Sequence, residues 1–166
     1  MTETDITLVY LDTNVYSRPF DDQTKAGIAV EANAFLEIVD AVRAGSLKLI
    51  DSDILLFEVY NILSQDKRAK VESYLDLCSE HIHSSEEILN LGRQFEHECH
   101  IRARDALHVA SAVFGNARYF LSCDQKVTQK KQAQCYRRLV RSQRDTYFSI
   151  MNPIQFFEKM NKGELE

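Results

Sequence analysis

The sequence predicts an α/β fold, with a central parallel sheet lying between two layers of helices. Three observations carry that expectation. Short apolar runs alternate with longer stretches of 3–4 apolar spacing, the pattern of strands joined by crossover helices. Two of those runs end on an aspartate: TLVYL before Asp12, and YFLSC before Asp124. If the two strands are adjacent and parallel, both acids face one crevice, at the edge where open α/β sheets place ligands. Finally, 166 residues with 45% apolar and 27% charged content suit one domain, 1–166, with a substantial core. Two prolines and five glycines disfavour disorder and a turn-dense all-β fold.

The elements follow in order. Residues 7–14 read as a strand stopped by Asp12 and the small polar pair Thr13 and Asn14. Residues 18–23 form a turn-rich loop. A long helix over 24–44 is expected from Ala26, Val30, Ala34, Ile38 and Ala41, with Gly45 as its stop. A short strand at 47–50 leads to Ser52, which can cap a helix running to about Leu63. A further helix fits 67–79, and 81–83 is a short third strand. Ser84 and Glu87 make a capping-box pattern that opens a helix to about Glu98. The helix at 102–114 presents Ala103, Ala106, Ala110 and Val113 as a narrow face suited to lying close on a sheet. A strand at 119–122, a helix through Lys126 towards Arg141, and a last strand at 146–151 follow. Asn152 and Pro153 then start the final helix.

The net charge of −5 disfavours indiscriminate nucleic-acid binding but leaves room for a local basic surface. The first residues, MTETDIT, lack the basic and apolar regions of a signal peptide. No apolar run approaches the ~20 residues of a membrane span. Cys78, Cys99, Cys123 and Cys135 form no CxxC pair, so reduced thiols and a cytoplasmic location are expected.

Two further acids stand out. Glu58 interrupts the apolar run ILLFEVY; it sits either on a solvent stripe with Asn61 and Gln65 or at a site. Asp105 lies in a first helical turn, where the macrodipole favours an acid whatever its function. Converging carboxylates need a compensating cation, and hard divalent ions take oxygen ligands. Asn14 and Ser52 could orient a ligand or a water, although capping is a sufficient role for Ser52.

LDTNVY at 11–16, Glu58 in its helix, RDALHVASA at 104–112, LSCDQK at 121–126 and NPIQFF at 152–157 together resemble a PIN domain, the ribonuclease fold that includes the VapC-type toxins. The resemblance covers nearly the whole chain. It implies a three-layer α/β/α fold with a central parallel sheet and a Mg²⁺- or Mn²⁺-dependent endoribonuclease activity. Asp12, Glu58, Asp105 and Asp124 would be the metal-binding and catalytic acids, with Asn14 and Ser52 as accessory residues. It also implies an RNA substrate, a small antitoxin protein covering the crevice, and a homodimer. Gln125 and Thr128 stand where some members carry another acid, which weighs against a second metal; residues 130–145 are also longer than is usual before the last strand.

A basic run could guide RNA to the acids: Lys126, Lys130, Lys131, Arg137, Arg138, Arg141 and Arg144, with Tyr136 interleaved. A solvated helix face explains it equally well. Arg102 and Arg104 flank Asp105 and could contact phosphate or neutralise the acids. His108, three residues after Asp105, reads as a buried, hydrogen-bonded histidine. Cys78-x₂-His81 with His97-x₂-His100 has tolerable zinc spacing but not the turn-bounded ligand pairs of true zinc sites. Two other classes stay open: a non-catalytic PIN-fold binding module, and a phosphatase with Asp12 as nucleophile, for which Asn14 replaces the expected general acid.

Overall fold

The structure is a computed structural model and describes residues 5–143 and 147–166. Five strands form one sheet in the order β3-β2-β1-β4-β5. They are β1 (Thr7–Leu11), β2 (Leu47–Ser52), β3 (Cys78–Ile82), β4 (Tyr119–Leu121) and β5 (Ser149–Met151), and every pairing is parallel. The α/β class with helices on both faces is the one the sequence predicts. β1 and β4 are neighbours, with Leu11 opposite Leu121, and the Asp12 amide donates to the Leu121 carbonyl at 2.9 Å. The adjacency on which a shared crevice depends is therefore real.

Helices α1 (Thr13–Ser17), α2 (Ala26–Arg43), α3 (Asp53–Tyr60) and α4 (Gln65–Leu75) come before β3. Then follow α5 (Glu86–Cys99), α6 (Ala103–Phe114), α7 (Gln125–Thr128), α8 (Lys130–Gln143) and α9 (Pro153–Asn161). Two apolar clusters sandwich the sheet. One gathers Phe35, Ile38, Leu55, Val71 and Phe156 under Val9, Leu11, Leu49 and Leu121. The other sets Phe95, Ala106, Ala110, Tyr136 and Val140 against Tyr10, Ile50 and Phe120. Alternate residues of β1 thus point to opposite layers, as the strand period requires.

Several boundaries differ from the sequence expectation, each for a local reason. The strand read over 7–14 ends at Leu11, and Thr13 and Asn14 start α1, because the Asp12 side chain accepts the Thr13 amide and caps it. A 3-10 turn follows at Arg18–Phe20, inside the expected loop. The helix at 67–79 ends at Leu75, since 78–82 pairs with β2 as β3. Ser85, not Ser84, caps α5. The helix after Asp124 breaks at Gln129, whose extended ψ of 151° separates α7 from α8. In α2, Val30 lies exposed, while Phe35 and Val39 carry the buried face. The expected start of the last strand, and Arg144 and Asp145 of the basic region, lie outside the described residues.

The expectation of four reduced cysteines is corrected. Cys99, at the end of α5, and Cys135, in α8, form a disulfide with Cα atoms 5.8 Å apart. Cys78 and Cys123 are free thiols. Spacing could not reveal the pair, because 36 residues and several elements separate its members. Among the described residues, no helix is long and apolar enough to cross a membrane.

Candidate metal and active site

Asp12 is the centre of the site because β1 ends there and α1 begins there. Its Oδ1 accepts the Thr13 amide at 2.8 Å, and its Oδ2 accepts the Ser122 hydroxyl at 2.8 Å and the Asn14 amide at 3.4 Å. Ser122 stands just past β4, so this bond ties the ends of the two central strands together. Asn14 braces the same junction. Its Nδ2 donates to Ser122 Oγ at 3.1 Å, and its Oδ1 accepts the Cys123 amide at 2.9 Å. These bonds hold a nearly fully buried carboxylate in one orientation.

Glu58 faces this carboxylate rather than solvent. The Thr13 hydroxyl donates to Glu58 Oε1 at 2.9 Å, and His108 Nε2 donates to the same oxygen. His108 Nε2 also lies 3.6 Å from Asp12 Oδ1. On its other side, His108 Nδ1 is 2.7 Å from Tyr10 Oη, which is 2.6 Å from Ser52 Oγ. Ser52, Tyr10, His108 and Glu58 thus form one buried polar chain running from the end of β2 to the crevice.

Asp105 and Asp124 are joined by Arg102. The Arg102 guanidinium donates from Nε to Asp105 Oδ2 at 3.2 Å and from Nη2 to Asp124 Oδ2 at 3.3 Å. Asp124 also caps α7 by accepting the Lys126 amide at 2.9 Å. A cleft of about 400 Å³ opens here, lined by Glu58, Arg102, Ala103, Arg104 and Asp105.

The electrostatics record the crowding of like charges. Burial raises the Asp12 carboxyl above its ordinary range, and nearby Glu58 adds to this against the relief given by His108 and Ser122. Burial and then the Asp12 charge raise Asp105, with Arg102 opposing. Burial would also raise Glu58, but the His108 hydrogen bond and charge, with Thr13, prevail and hold it low. Burial disfavours the charged form of His108, yet the Glu58 bond and the charges of Asp12, Glu58 and Asp105 outweigh it and raise it.

Asp12, Glu58 and His108 each offer an atom to one group whose members lie within 4.8 Å of one another. Asp105 and Asp124 are outside that tight group; Asp105 feels the charges of Asp12 and His108, and Asp124 connects to it through Arg102. The donor set suits a divalent cation: the Asp12 and Glu58 carboxylates lie together beside the Asp105 charge, and Asp12 and Asp105 are pushed towards protonation by burial and mutual repulsion. Sequence reasoning named Asp12 and Glu58, which the structure brings together with His108, but not the supports Tyr10, Thr13 and Ser122. Thr13 and Ser122 are legible only as small polar residues one or two positions from the acids. Tyr10 is indistinguishable from an apolar core residue until its hydroxyl finds His108.

Ser52 keeps the capping role that the sequence allowed, and Tyr136 lies off the exposed basic face. Ser52 does not reach the acids: it caps α3 by accepting the Leu55 amide at 3.3 Å and bonds Tyr10. Tyr136 is fully buried with its ring edge-on to Phe95, so it offers no base-stacking surface. The cations behave differently from one another. Arg102 neutralises acids, and Arg104 lies over the Phe57 ring at 5.6 Å. Lys126, Lys130, Lys131, Arg137, Arg138 and Arg141 are exposed, and on α8 the basic residues oppose a buried stripe of Ala133, Tyr136 and Val140. Cys78, His81, His97 and His100 form no joint cluster among the described residues, and the Cys78 thiol instead meets Tyr16 Oη at 3.4 Å.

No protein-family model matches the sequence, and no curated protein does. Among solved structures, the chain is similar to one in the crystal structure of VapBC2 from Rickettsia felis bound to a DNA fragment from its promoter. The TM-score is 0.57 at 14% identity, covering 87% of this chain and 98% of that one. At that identity the likeness shows a shared fold. The three-layer α/β/α architecture implied by the PIN resemblance is the architecture found.

Proposed function

We propose that this chain is a single PIN-like domain acting as a divalent-metal-dependent endoribonuclease, and that it is the toxin of a toxin–antitoxin pair. The observation that carries the reading is the buried Asp12 carboxylate, held by Thr13 and Ser122, grouped with Glu58 and His108 and within reach of the Asp105 charge. Asp12, Glu58, Asp105 and Asp124 would hold Mg²⁺ or Mn²⁺. When bound, such an ion supplies Lewis-acid stabilisation of a phosphodiester and a water of lowered pKa.

The chain's own residues do the remaining work. His108 fixes Glu58 so that its carboxylate faces Asp12. Asn14 and Ser122 lock Asp12 against rotation. Arg102 sits between Asp105 and Asp124 and is placed to exchange its acid partners for a phosphate. The exposed cations of α7 and α8 would draw the RNA backbone towards the cleft. Asn14 is fully engaged in bracing the strand ends, which leaves the phosphatase alternative without a general acid.

Shared fold with a protein of the VapBC2 complex supports the toxin role. A small antitoxin has a surface to cover: Phe57, Tyr60 and Leu63 are 51, 67 and 97% exposed on and just after α3, the helix that carries Glu58. A homodimer and a cytoplasmic location belong to the same reading.

The test is cleavage of structured RNA in the presence of Mg²⁺ by the wild type and by Asp12→Asn, with folding checked by circular dichroism. Cleavage by the wild type alone supports the reading. Equal cleavage by both proteins would sink the assignment of Asp12, and cleavage by neither leaves the non-catalytic binding module as the better description.

A further inference from the structure

A second cluster of metal-ligating side chains lies outside the acidic cleft, where β2, β3 and the start of α3 meet. We propose that Asp53, His81 and His83 form a zinc-binding site that is separate from the acidic centre. Asp53 Oδ1 is 2.7 Å from His81 Nε2 and 3.5 Å from His83 Nδ1. All three residues offer ligand atoms lying within 4.8 Å of one another. Two ligands each about 2.0–2.1 Å from a tetrahedral zinc stand roughly 3.3 Å apart, so these separations need little adjustment.

The arrangement follows from strand geometry. His81 lies in β3 and His83 just beyond it, two residues on, so the strand period sends both to one side. Their ring centroids are 4.6 Å apart, edge to face. Asp53 reaches the same point because β2, beside β3, passes directly into α3.

Each of two ligands is oriented from behind. His81 Nδ1 is 2.6 Å from Asp51 Oδ1, on the buried end of β2. That bond fixes the ring with Nε2 towards Asp53, the carboxylate–histidine arrangement that accompanies metal-ligating imidazoles. Asp53 Oδ2 accepts the Ser84 amide at 2.7 Å, which leaves Oδ1 for the two rings. Two imidazoles and one carboxylate form a borderline donor set that favours Zn²⁺ over Mg²⁺. His83 is 83% exposed, so the fourth position opens to water.

The simpler reading is an ion pair in which a protonated His81 bridges Asp51 and Asp53. The two readings separate on zinc binding by the full-length protein, measured by competition with a chromophoric chelator. The site predicts one zinc ion per chain beyond any held by the acidic centre. His83→Ala, at an exposed position that does not threaten folding, weakens its binding. Asp51→Asn weakens it by about tenfold or more. The double variant His81→Ala with His83→Ala abolishes it, and Asp12→Asn leaves it unchanged. Absence of zinc binding by the wild type overturns the proposal in favour of the ion pair. Zinc binding that survives His83→Ala at full strength but is lost in Asp12→Asn also overturns it, by assigning the ion to the acidic cleft.

Discussion

Tyr10 Oη and His108 Nδ1 are 2.7 Å apart in the interior, although 98 residues separate them in the sequence. The pairing matters because the other nitrogen of His108 donates to Glu58. Tyr10 keeps its proton, since burial raises the phenol well above its ordinary value. A hydroxyl between Ser52 and His108 therefore fixes the imidazole that fixes the acid.

Tyr10→Phe removes only that hydroxyl and strands two buried partners. Unfolding free energy should fall by about 1–3 kcal/mol, the cost of unsatisfied buried polar groups. RNA cleavage should fall more than the lost stability explains, because Glu58 loses its fixed orientation. Urea denaturation and cleavage rates on the same preparation check both expectations. Unchanged cleavage would detach His108 from the chemistry.

His108 also sets a pH dependence. Its folded-state pKa lies above the ordinary 6.5. The stability it contributes is thus fully present below that unfolded value and is lost as pH rises through the folded one. In EDTA, the stability difference between wild type and His108→Gln should be largest near the acid end of a pH 6–9 series and shrink towards alkaline pH. Glu58 works in the opposite sense. Its lowered pKa contributes stability above its ordinary 4.5 that is lost as pH falls through the folded value, which lies below this series. A difference independent of pH would mean that His108 titrates in the folded protein as it does in the unfolded chain, against the expectation.

The strand-end acids were legible in the sequence because their signal is local: an apolar run, a stop and a carboxylate. Asp12 and Asp124 needed only a parallel pairing of β1 with β4, and the structure supplies it. Glu58 was ambiguous because helical spacing gives a face but not which neighbour the face meets. Thr13 and His108 decide it, and both are tertiary partners. The Cys99–Cys135 disulfide and the Asp53–His81–His83 cluster were out of reach for the same reason, since each depends on how separate elements lie against one another.

Arg102 competes with cations for two of the acids. It binds Asp105 and Asp124 together, and like charges there need a compensating partner. Arg102→Ala should therefore lower the melting temperature of the EDTA-treated protein and enlarge the stabilisation produced by Mn²⁺. A smaller Mn²⁺ response than in the wild type would instead make Arg102 a positioner of the acids for the metal.

The exposed face of α8 is expected to act on affinity and not on stability. Arg137, Arg138 and Arg141 project opposite the buried stripe that holds the helix to the core. Replacing the three with Gln should weaken single-stranded RNA binding and reduce the salt slope of log K by roughly 2, at about 0.7 for each phosphate left without its cation. Melting temperature should hardly change. An unaltered salt slope would return this face to the role of a solvated surface.

The disulfide makes the hold on that helix sensitive to reductant. Cys99–Cys135 closes a segment of 36 residues between α5 and α8. A chain-entropy argument gives it about 2–4 kcal/mol. Cys135→Ser should lose that stability without reductant present, and the wild type should approach the variant when dithiothreitol is added. The remaining thiols should not confuse the assay. Burial pushes Cys78 up to about 12 and Cys123 higher still, so neither is a nucleophile near neutral pH. Iodoacetamide should leave the folded, oxidised protein unlabelled and should label Cys99 and Cys135 after reduction, as peptide mapping by mass spectrometry would show. Labelling of these two residues before any reductant is added would mean that α8 is held by its apolar stripe alone.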